Sequence, residues 1–157
     1  KESWNANLHP PTLTSTIVEN TKKYAKIAVI TGGEPLMWDM SRITTLLQSQ
    51  QIKTHIETSG AYTLTGEWDW ICLSPKKMKL PNEEVHKNAD ELKMIVFNKS
   101  DFKFAEEQAA KVNLNCELFL QAEWSNRSKM TPLIVAYVLK NPKWKISIQT
   151  HKYLNIP

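Results

Sequence analysis

The sequence predicts an α/β protein built on a parallel sheet, with a binding site at the carboxyl ends of its strands. Three observations lead there. Short apolar runs alternate with segments of helical periodicity, as a series of right-handed βαβ units requires. The first run, Ile27-Ala-Val-Ile30, is apolar throughout and rich in β-branched residues, which fits a strand buried in a parallel sheet better than one half exposed in an antiparallel one. Polar clusters follow the runs: Thr31-Gly-Gly-Glu34, Glu57-Thr-Ser-Gly60, Ser74-Pro-Lys76, Gln121-Ala-Glu-Trp124 and Gln149-Thr-His-Lys152. Any one of them could be ordinary loop polarity. Together they fall on the edge where loops and helix N-termini of parallel sheets converge on ligands, in barrels and open sheets alike.

Taken in order, Leu13, Ile17 and Val18 with polar intervals predict a helix over Thr12 to Tyr24, and the first strand then ends near Thr31. A second helix follows at once over Leu36 to Gln50, with Ile43, Leu46 and Leu47 at helical spacing. The stretch from Ile52 alternates as a second strand, closed by Glu57 to Gly60. Ala61 to Asp69 replaces one crossover helix with loop before a third strand near Trp70 to Leu73. A fourth strand near Leu92 to Phe97 leads to a helix over Asp101 to Val112, with Asn98 and Ser100 as capping candidates. Cys116 to Gln121 is the fifth strand, Met130 to Leu139 lies in a further helix, and Trp144 to Gln149 is the sixth strand, followed by a short tail. There are no repeats, low-complexity tracts or linkers.

Length and composition narrow the class. At 157 residues, 41% hydrophobic and 23% charged, the chain suits one well-buried domain spanning residues 1–157. No segment approaches the roughly 18 to 20 apolar residues of a membrane span, and the opening KESWNANLHPP has no signal-peptide core, so the expectation is a cytoplasmic protein without a membrane partner. Cys72 and Cys116 each sit inside an apolar run, as core residues rather than disulfide partners, and two cysteines cannot make a metal site alone. The net charge of +4 is scattered along the chain, which gives direct nucleic-acid binding little support and suits an anionic small molecule equally well. The chain opens at a lysine without an obvious first element and ends in a strand and tail, so it reads as cut at the front.

The most specific stretch is Thr31-Gly-Gly-Glu-Pro35. Glycines without Cβ atoms let a ligand reach the main chain, Glu34 adds an anionic acceptor, and Pro35 fixes the turn. A bare Gly-Gly pair is more often an ordinary tight strand-to-helix connection, but the whole Thr-Gly-Gly-Glu-Pro string is far less common than the pair. The string is not a phosphate cradle, because no G-x-G-x-x-G is present and no Lys-Ser or Lys-Thr follows the glycines. A carboxylate beside open backbone suits a ligand bearing an ammonium group.

On these residues the chain resembles the radical S-adenosylmethionine superfamily, and within it the 7-carboxy-7-deazaguanine synthase family of queuosine and deazapurine biosynthesis. Thr31-Gly-Gly-Glu-Pro35 is similar to that family's Gly-Gly-Glu motif, Glu57 to Gly60 to its second-strand acidic motif, Ser74-Pro-Lys76 to its third, and QTHKYLNIP to its terminal signature. The resemblance runs through essentially the whole chain and implies a partial, shortened βα barrel. It implies that Gly33 and Glu34 receive the methionyl ammonium of S-adenosyl-L-methionine. Glu57, Ser59, Ser74, Pro75, Lys76, Gln121, Glu123 and Trp124 would hold the rest of that cofactor, and Thr31, His151 and Pro157 the pterin substrate. The implied reaction converts 6-carboxy-5,6,7,8-tetrahydropterin to 7-carboxy-7-deazaguanine. Reductive cleavage of S-adenosylmethionine gives a 5′-deoxyadenosyl radical that abstracts hydrogen from C6, the ring contracts, and ammonia leaves with Mg²⁺ assisting.

The same resemblance implies a 4Fe-4S cluster held by three cysteines in a C-x-x-x-C-x-x-C type loop, an electron donor such as flavodoxin, and a homodimer. Cys72 and Cys116 cannot serve as the cluster ligands, because they lie on separate strands. Lys1 and Trp4 resemble residues that in the family stand just after the cluster loop, so the loop and the Mg²⁺ ligand are expected immediately upstream, and the chain as given would be inactive without them. The alternative is a cluster-less module that binds S-adenosylmethionine or a pterin without catalysis.

Overall fold

The structure, a computed structural model, describes residues 11–156; Lys1, Trp4 and Pro157 lie outside that range. Six strands, β1 Ile27–Ile30, β2 Lys53–Thr58, β3 Trp70–Leu73, β4 Glu91–Val96, β5 Glu117–Ala122 and β6 Trp144–Ser147, form one sheet in the order β1-β2-β3-β4-β5-β6. Every neighbouring pair is parallel. The helices are α1 Thr14–Tyr24, α2 Ser41–Ser49, α3 Glu83–Asn88, α4 Ser100–Ala109, α5 Arg127–Lys140 and α6 Thr150–Tyr153. When parallel strands are laid down consecutively, right-handed crossovers place all their helices on one face. The sheet is therefore an open arc, its ends at β1 and β6, with one face packed and one concave.

The strand sequences obey this division. Ile56 of β2, Leu73 of β3, Leu92, Met94 and Val96 of β4 and Leu120 of β5 are buried in one cluster with Val85 of α3, Ala105 of α4 and Met130 and Ile134 of α5. Each fully buried Leu or Ile contributes about 1.5–3 kcal/mol relative to exposure, so the covered face carries most of the stability. The alternate residues look the other way. The register aligns Glu57 of β2 with Cys72 of β3 and Cys72 with Glu91 of β4, a polar row across the concave face. A smaller cluster of Val18, Leu47 and Ile52 seals α1 and α2 against Ala28 and Ile30.

Most predicted elements stand within a few residues of their expected bounds, and residues 59–69 hold no helix, as the loop reading of Ala61 to Asp69 required. Four features differ. The buried strand expected at Ile27 to Ile30 is a terminal strand with one covered side; Ile27 and Val29 are 47% and 57% exposed on the concave face. Uniformly apolar composition reports β propensity and does not separate one-sided from two-sided burial. The helix expected over Leu36 to Gln50 is broken into a short 3-10 turn, Pro35–Met37, and α2. Asp39 causes the break: its carboxylate accepts from the Ser41 amide at 2.9 Å and hydroxyl at 2.6 Å, closing a turn that competes with helix. α3, two turns at most, falls in a stretch that the sequence reading left unassigned. The tail after β6 closes into α6 instead of running free. Cys72 and Cys116 are both free and buried, as expected of core residues.

Candidate functional site

β1 ends at a double-glycine turn in which Gly32 and Gly33 have φ of 91° and 45°. Both lie in the left-handed region that L side chains seldom adopt, so the pair is required by the turn itself. The turn delivers Glu34 to the mouth of β2. One carboxylate oxygen accepts from the Thr58 hydroxyl at 2.5 Å and the Leu36 amide at 3.2 Å. The other accepts from the Ser59 amide at 2.7 Å and from the Ser59 hydroxyl. Partial burial works against the charged form, but the hydrogen bonds from Ser59 and Thr58 outweigh it and hold the Glu34 pKa below 4.5. Glu34 is thus a fixed anion that locks the β1 turn to the end of β2.

Deeper on the concave face, the Lys93 ammonium of β4 reaches Glu57 of β2 at 2.5 Å, across the intervening strand. Cys72 of β3, in register with Glu57 and Glu91, lies on the same face. Lys93 is 13% exposed and Glu57 42%. Burial disfavours the Lys93 charge, yet the acidic neighbours around it, Cys72, then Glu57 through its hydrogen bond and charge, and Glu91, more than compensate and raise its pKa above 10.5. Glu91 accepts from the Cys72 thiol at 3.4 Å and from the Trp70 indole at 3.3 Å. At the edge, Lys76 donates to the Ser74 hydroxyl at 3.2 Å. Loss of hydration and then the like charge of Lys93 lower the Lys76 pKa below 10.5.

Two clefts open at this edge. A pocket of about 310 Å³ is lined by Thr31, Gly33, Glu34, Glu57, Ser59 and, from the loop after β3, Ser74 and Lys76. A second, of about 430 Å³, shares Glu57, Ser74 and Lys76 with the first and extends to Gln121 and His151. Nine of the thirteen residues singled out in the sequence therefore line one continuous trough. Gln121 is oriented there by the Ser147 hydroxyl, which donates to its carbonyl oxygen at 3.0 Å. Trp124 lies beside the trough in a small apolar pocket that also borders Gln121. Two residues do not join. Pro75 is buried behind the strand end, and Glu123 caps the 3-10 turn Trp124–Asn126, accepting from the Asn126 amide at 3.2 Å.

Gln149, from the last of the polar clusters, also lines the larger cleft, as do Lys93 and Glu91, which went unrecognised in the sequence. The signal was present in β4. A strand covered on both faces reads as a continuous apolar run, whereas Glu91-Leu-Lys-Met-Ile-Val96 places a charge at each of its first two alternate positions. That alternation marks a parallel strand with one face turned to a wet or liganded cavity. The trough holds fixed carboxylates, Glu34 and Glu57, and a free-edged ammonium, Lys76, within one small pocket. Its complement is a zwitterion whose ammonium and carboxylate are held apart by a few bonds.

Along its entire length the chain is 66% identical to the 7-carboxy-7-deazaguanine synthase of Flavobacterium psychrophilum, covering 75% of that protein. Across 99% of its length it is 44% identical to the 7-carboxy-7-deazaguanine synthase of Synechocystis, again covering 75%. The chain belongs to the 7-carboxy-7-deazaguanine synthase family. The fold agrees: the crystal structure of QueE from Escherichia coli superposes with a TM-score of 0.78 over 88% of this chain and 64% of that one, at 24% identity. No family model matches the chain. It spans about three quarters of the length of these two synthases.

The residues present fit one of the family's implied cofactors and not the others. The zwitterion-complementary pocket suits the methionyl end of S-adenosylmethionine. Among the described residues nothing comparable exists for iron. Cys72 lies in β3 and Cys116 in the turn just before β5, both buried; burial raises both thiol pKa values, that of Cys116 to about 12, and thiolate is the ligating form. Among the described residues no group of three or more His, Cys, Asp and Glu is placed to hold a metal ion. The same residues contain no helix long and apolar enough to cross a membrane.

Proposed function

We propose that this chain carries the cofactor- and substrate-binding face of a radical S-adenosylmethionine lyase that converts 6-carboxy-5,6,7,8-tetrahydropterin to 7-carboxy-7-deazaguanine. The observation that supports it best is the identity of 66% along the whole chain to a synthase of that name. When bound beside a reduced cluster, S-adenosylmethionine supplies the hydrogen-abstracting oxidant for the ring contraction. The residues of this chain bind, orient and shield. The Gly33 carbonyl and the Glu34 carboxylate accept from the ammonium of the cofactor. Lys76, with Ser74, receives its carboxylate, and Glu57 its ribose hydroxyls. Gln121 and Trp124 lie toward the adenine. The lowered pKa of Glu34 keeps that acceptor ionised through the neutral range. Thr31 and His151, at opposite ends of the trough, bracket the pterin, and Pro157 completes its contacts. The cluster ligands belong to the part of the relatives' length that this chain does not span. Mg²⁺, an electron donor such as flavodoxin, a homodimer and a cytoplasmic location complete the reading on family resemblance.

The test uses protein of the relatives' full length, with the cluster reconstituted anaerobically. Incubation with 6-carboxytetrahydropterin, S-adenosylmethionine and dithionite should yield 7-carboxy-7-deazaguanine by mass spectrometry. Lys76→Ala and Glu57→Gln should each weaken S-adenosylmethionine in calorimetry by about 1–3 kcal/mol, the range for a lost charge-assisted hydrogen bond. Cofactor binding without product would favour the non-catalytic module, and wild-type affinity in both variants would remove the cofactor assignment.

A further inference from the structure

The tail helix α6 stands between two cavities. Successive residues of a helix turn by about 100°, so residues two apart face opposite sides. In α6 these are His151 and Tyr153. His151 lines the cleft of about 430 Å³ with Glu57 and Lys93, whereas Tyr153 lines the small apolar pocket with Trp124, Arg127 and Ile146. Tyr153 meets Trp124 edge to face, ring centroids 5.1 Å apart at 78°. The Lys152 ammonium lies over the same indole at 5.2 Å. Trp124 is itself held from the body of the domain: the Arg127 guanidinium packs 4.0 Å from its ring and donates to its carbonyl at 2.7 Å.

The backbone makes the unit rigid. The Leu154 amide donates to the Thr150 carbonyl at 3.0 Å and the Ile156 amide to the His151 carbonyl at 2.9 Å, closed by Asn155 in the left-handed region at φ 53°. A helical turn tied off in this way moves as one piece, so whatever seats Tyr153 also fixes His151. Among the described residues of the tail the other apolar side chains add little: Leu154 and Ile156 are 63% and 54% exposed, so that besides the Lys152 cation over the indole the seat is Tyr153.

We propose that Tyr153 is a positioning residue: its seating on Trp124 sets the place of His151 in the second cleft, so that the tail becomes an aligned wall of the substrate site. Because Tyr153 keeps 57% of its surface in solvent, the seat is shallow and can be left and regained. The tail therefore docks and releases around a ligand. The substrate-facing half of this inference rests on reading the second cleft as the pterin site; the docking half does not.

The experiment compares wild type, Tyr153→Ala and Tyr153→Phe in the full-length reconstituted enzyme. Hydrogen exchange of the amides of residues 152–156 reads docking alone. Exchange there should quicken in Tyr153→Ala by about two- to tenfold, the range for one lost aromatic pair, and stay at the wild-type rate in Tyr153→Phe, which retains the ring edge. KM for 6-carboxytetrahydropterin should rise by a similar factor in Tyr153→Ala, with S-adenosylmethionine affinity and kcat within twofold of wild type. Unchanged exchange in Tyr153→Ala overturns the docking, and quickened exchange with unchanged KM overturns the positioning role. A wild-type enzyme that does not turn over the pterin refutes the proposed function while the exchange result still judges the docking.

Discussion

Glu34→Gln removes one charge from a carboxylate that accepts four hydrogen bonds, and the arithmetic of donors decides its cost. The glutamine carbonyl can still take the amide and hydroxyl of Ser59. Its NH₂ must then face the Thr58 hydroxyl and the Leu36 amide. The hydroxyl can rotate and accept, since its own oxygen takes only the Gly60 amide, at 2.9 Å. The Leu36 N–H cannot, and a donor facing a donor costs about 1–3 kcal/mol. Discounted for the partial exposure of Glu34, the loss should be about 2 kcal/mol, or about 4–8 °C in Tm for a chain of this size. The pH dependence carries a sign. The folded pKa of Glu34 lies below 4.5, so its contribution is fully present above the unfolded value and is lost as pH falls through the folded one. Urea unfolding should therefore give the same gap between wild type and variant at pH 7 and pH 5, shrinking only below about pH 4.5. Equal stability at pH 7, or a gap that closes between pH 7 and pH 5, would refute the fixed-anion account.

Other substitutions probe the rest of the frame. Lys93→Met strands Glu57 beside Glu91 and should cost about 1–2 kcal/mol by urea titration, reduced from the buried-pair range because Glu57 is partly exposed. The raised Lys93 pKa means that this contribution is intact below 10.5 and lost as pH rises through the folded value, so the difference should be equal at pH 7 and pH 9. Gly60→Ala places a Cβ 2.6 Å from Leu73 Cδ1 and 2.9 Å from Pro81 Cβ at φ 73°, and should destabilise by about 2–4 kcal/mol in thermal melts. Cys72 and Cys116, buried with raised pKa values, should resist a thiol-specific disulfide reagent at pH 8 in the folded protein and both react in denaturant.

The site was legible wherever chemistry sits at a strand end, because parallel topology gathers those ends whatever the curvature of the sheet. Thr31, Glu34, Glu57, Ser74, Lys76 and Gln121 needed only their place after an apolar run. Lys93 lies inside a run, where only the parity of the strand reveals it, and parity was read for β2 and not for β4. The one-sided burial of β1 was hidden for a different reason: exposure of a terminal strand depends on what adjoins it, and Ile27-Ala-Val-Ile30 has the same composition either way. The break at Asp39 and the closing turn of α6 are local contests between side-chain or capping bonds and regular structure, which apolar periodicity does not register.

Parity also explains why site and core share β2 without conflict. Thr58 points to the covered face, buried, and its hydroxyl both donates to Glu34 and accepts from the Gly60 amide. Glu57, one residue earlier, points to the cleft and pairs with Lys93. A slip of one residue in β2 would bury Glu57 against Leu36 and Leu73 and turn Thr58 toward Cys72, losing the Glu34 lock and the Lys93 bridge in one step. The apolar residues of the covered face, Ile56 above all, forbid that slip because it would expose them. The core thus fixes the register of β2, and the register fixes how each anion of the trough is held: Glu34 by the hydroxyls and amides at the strand end, Glu57 by Lys93 on the cleft side.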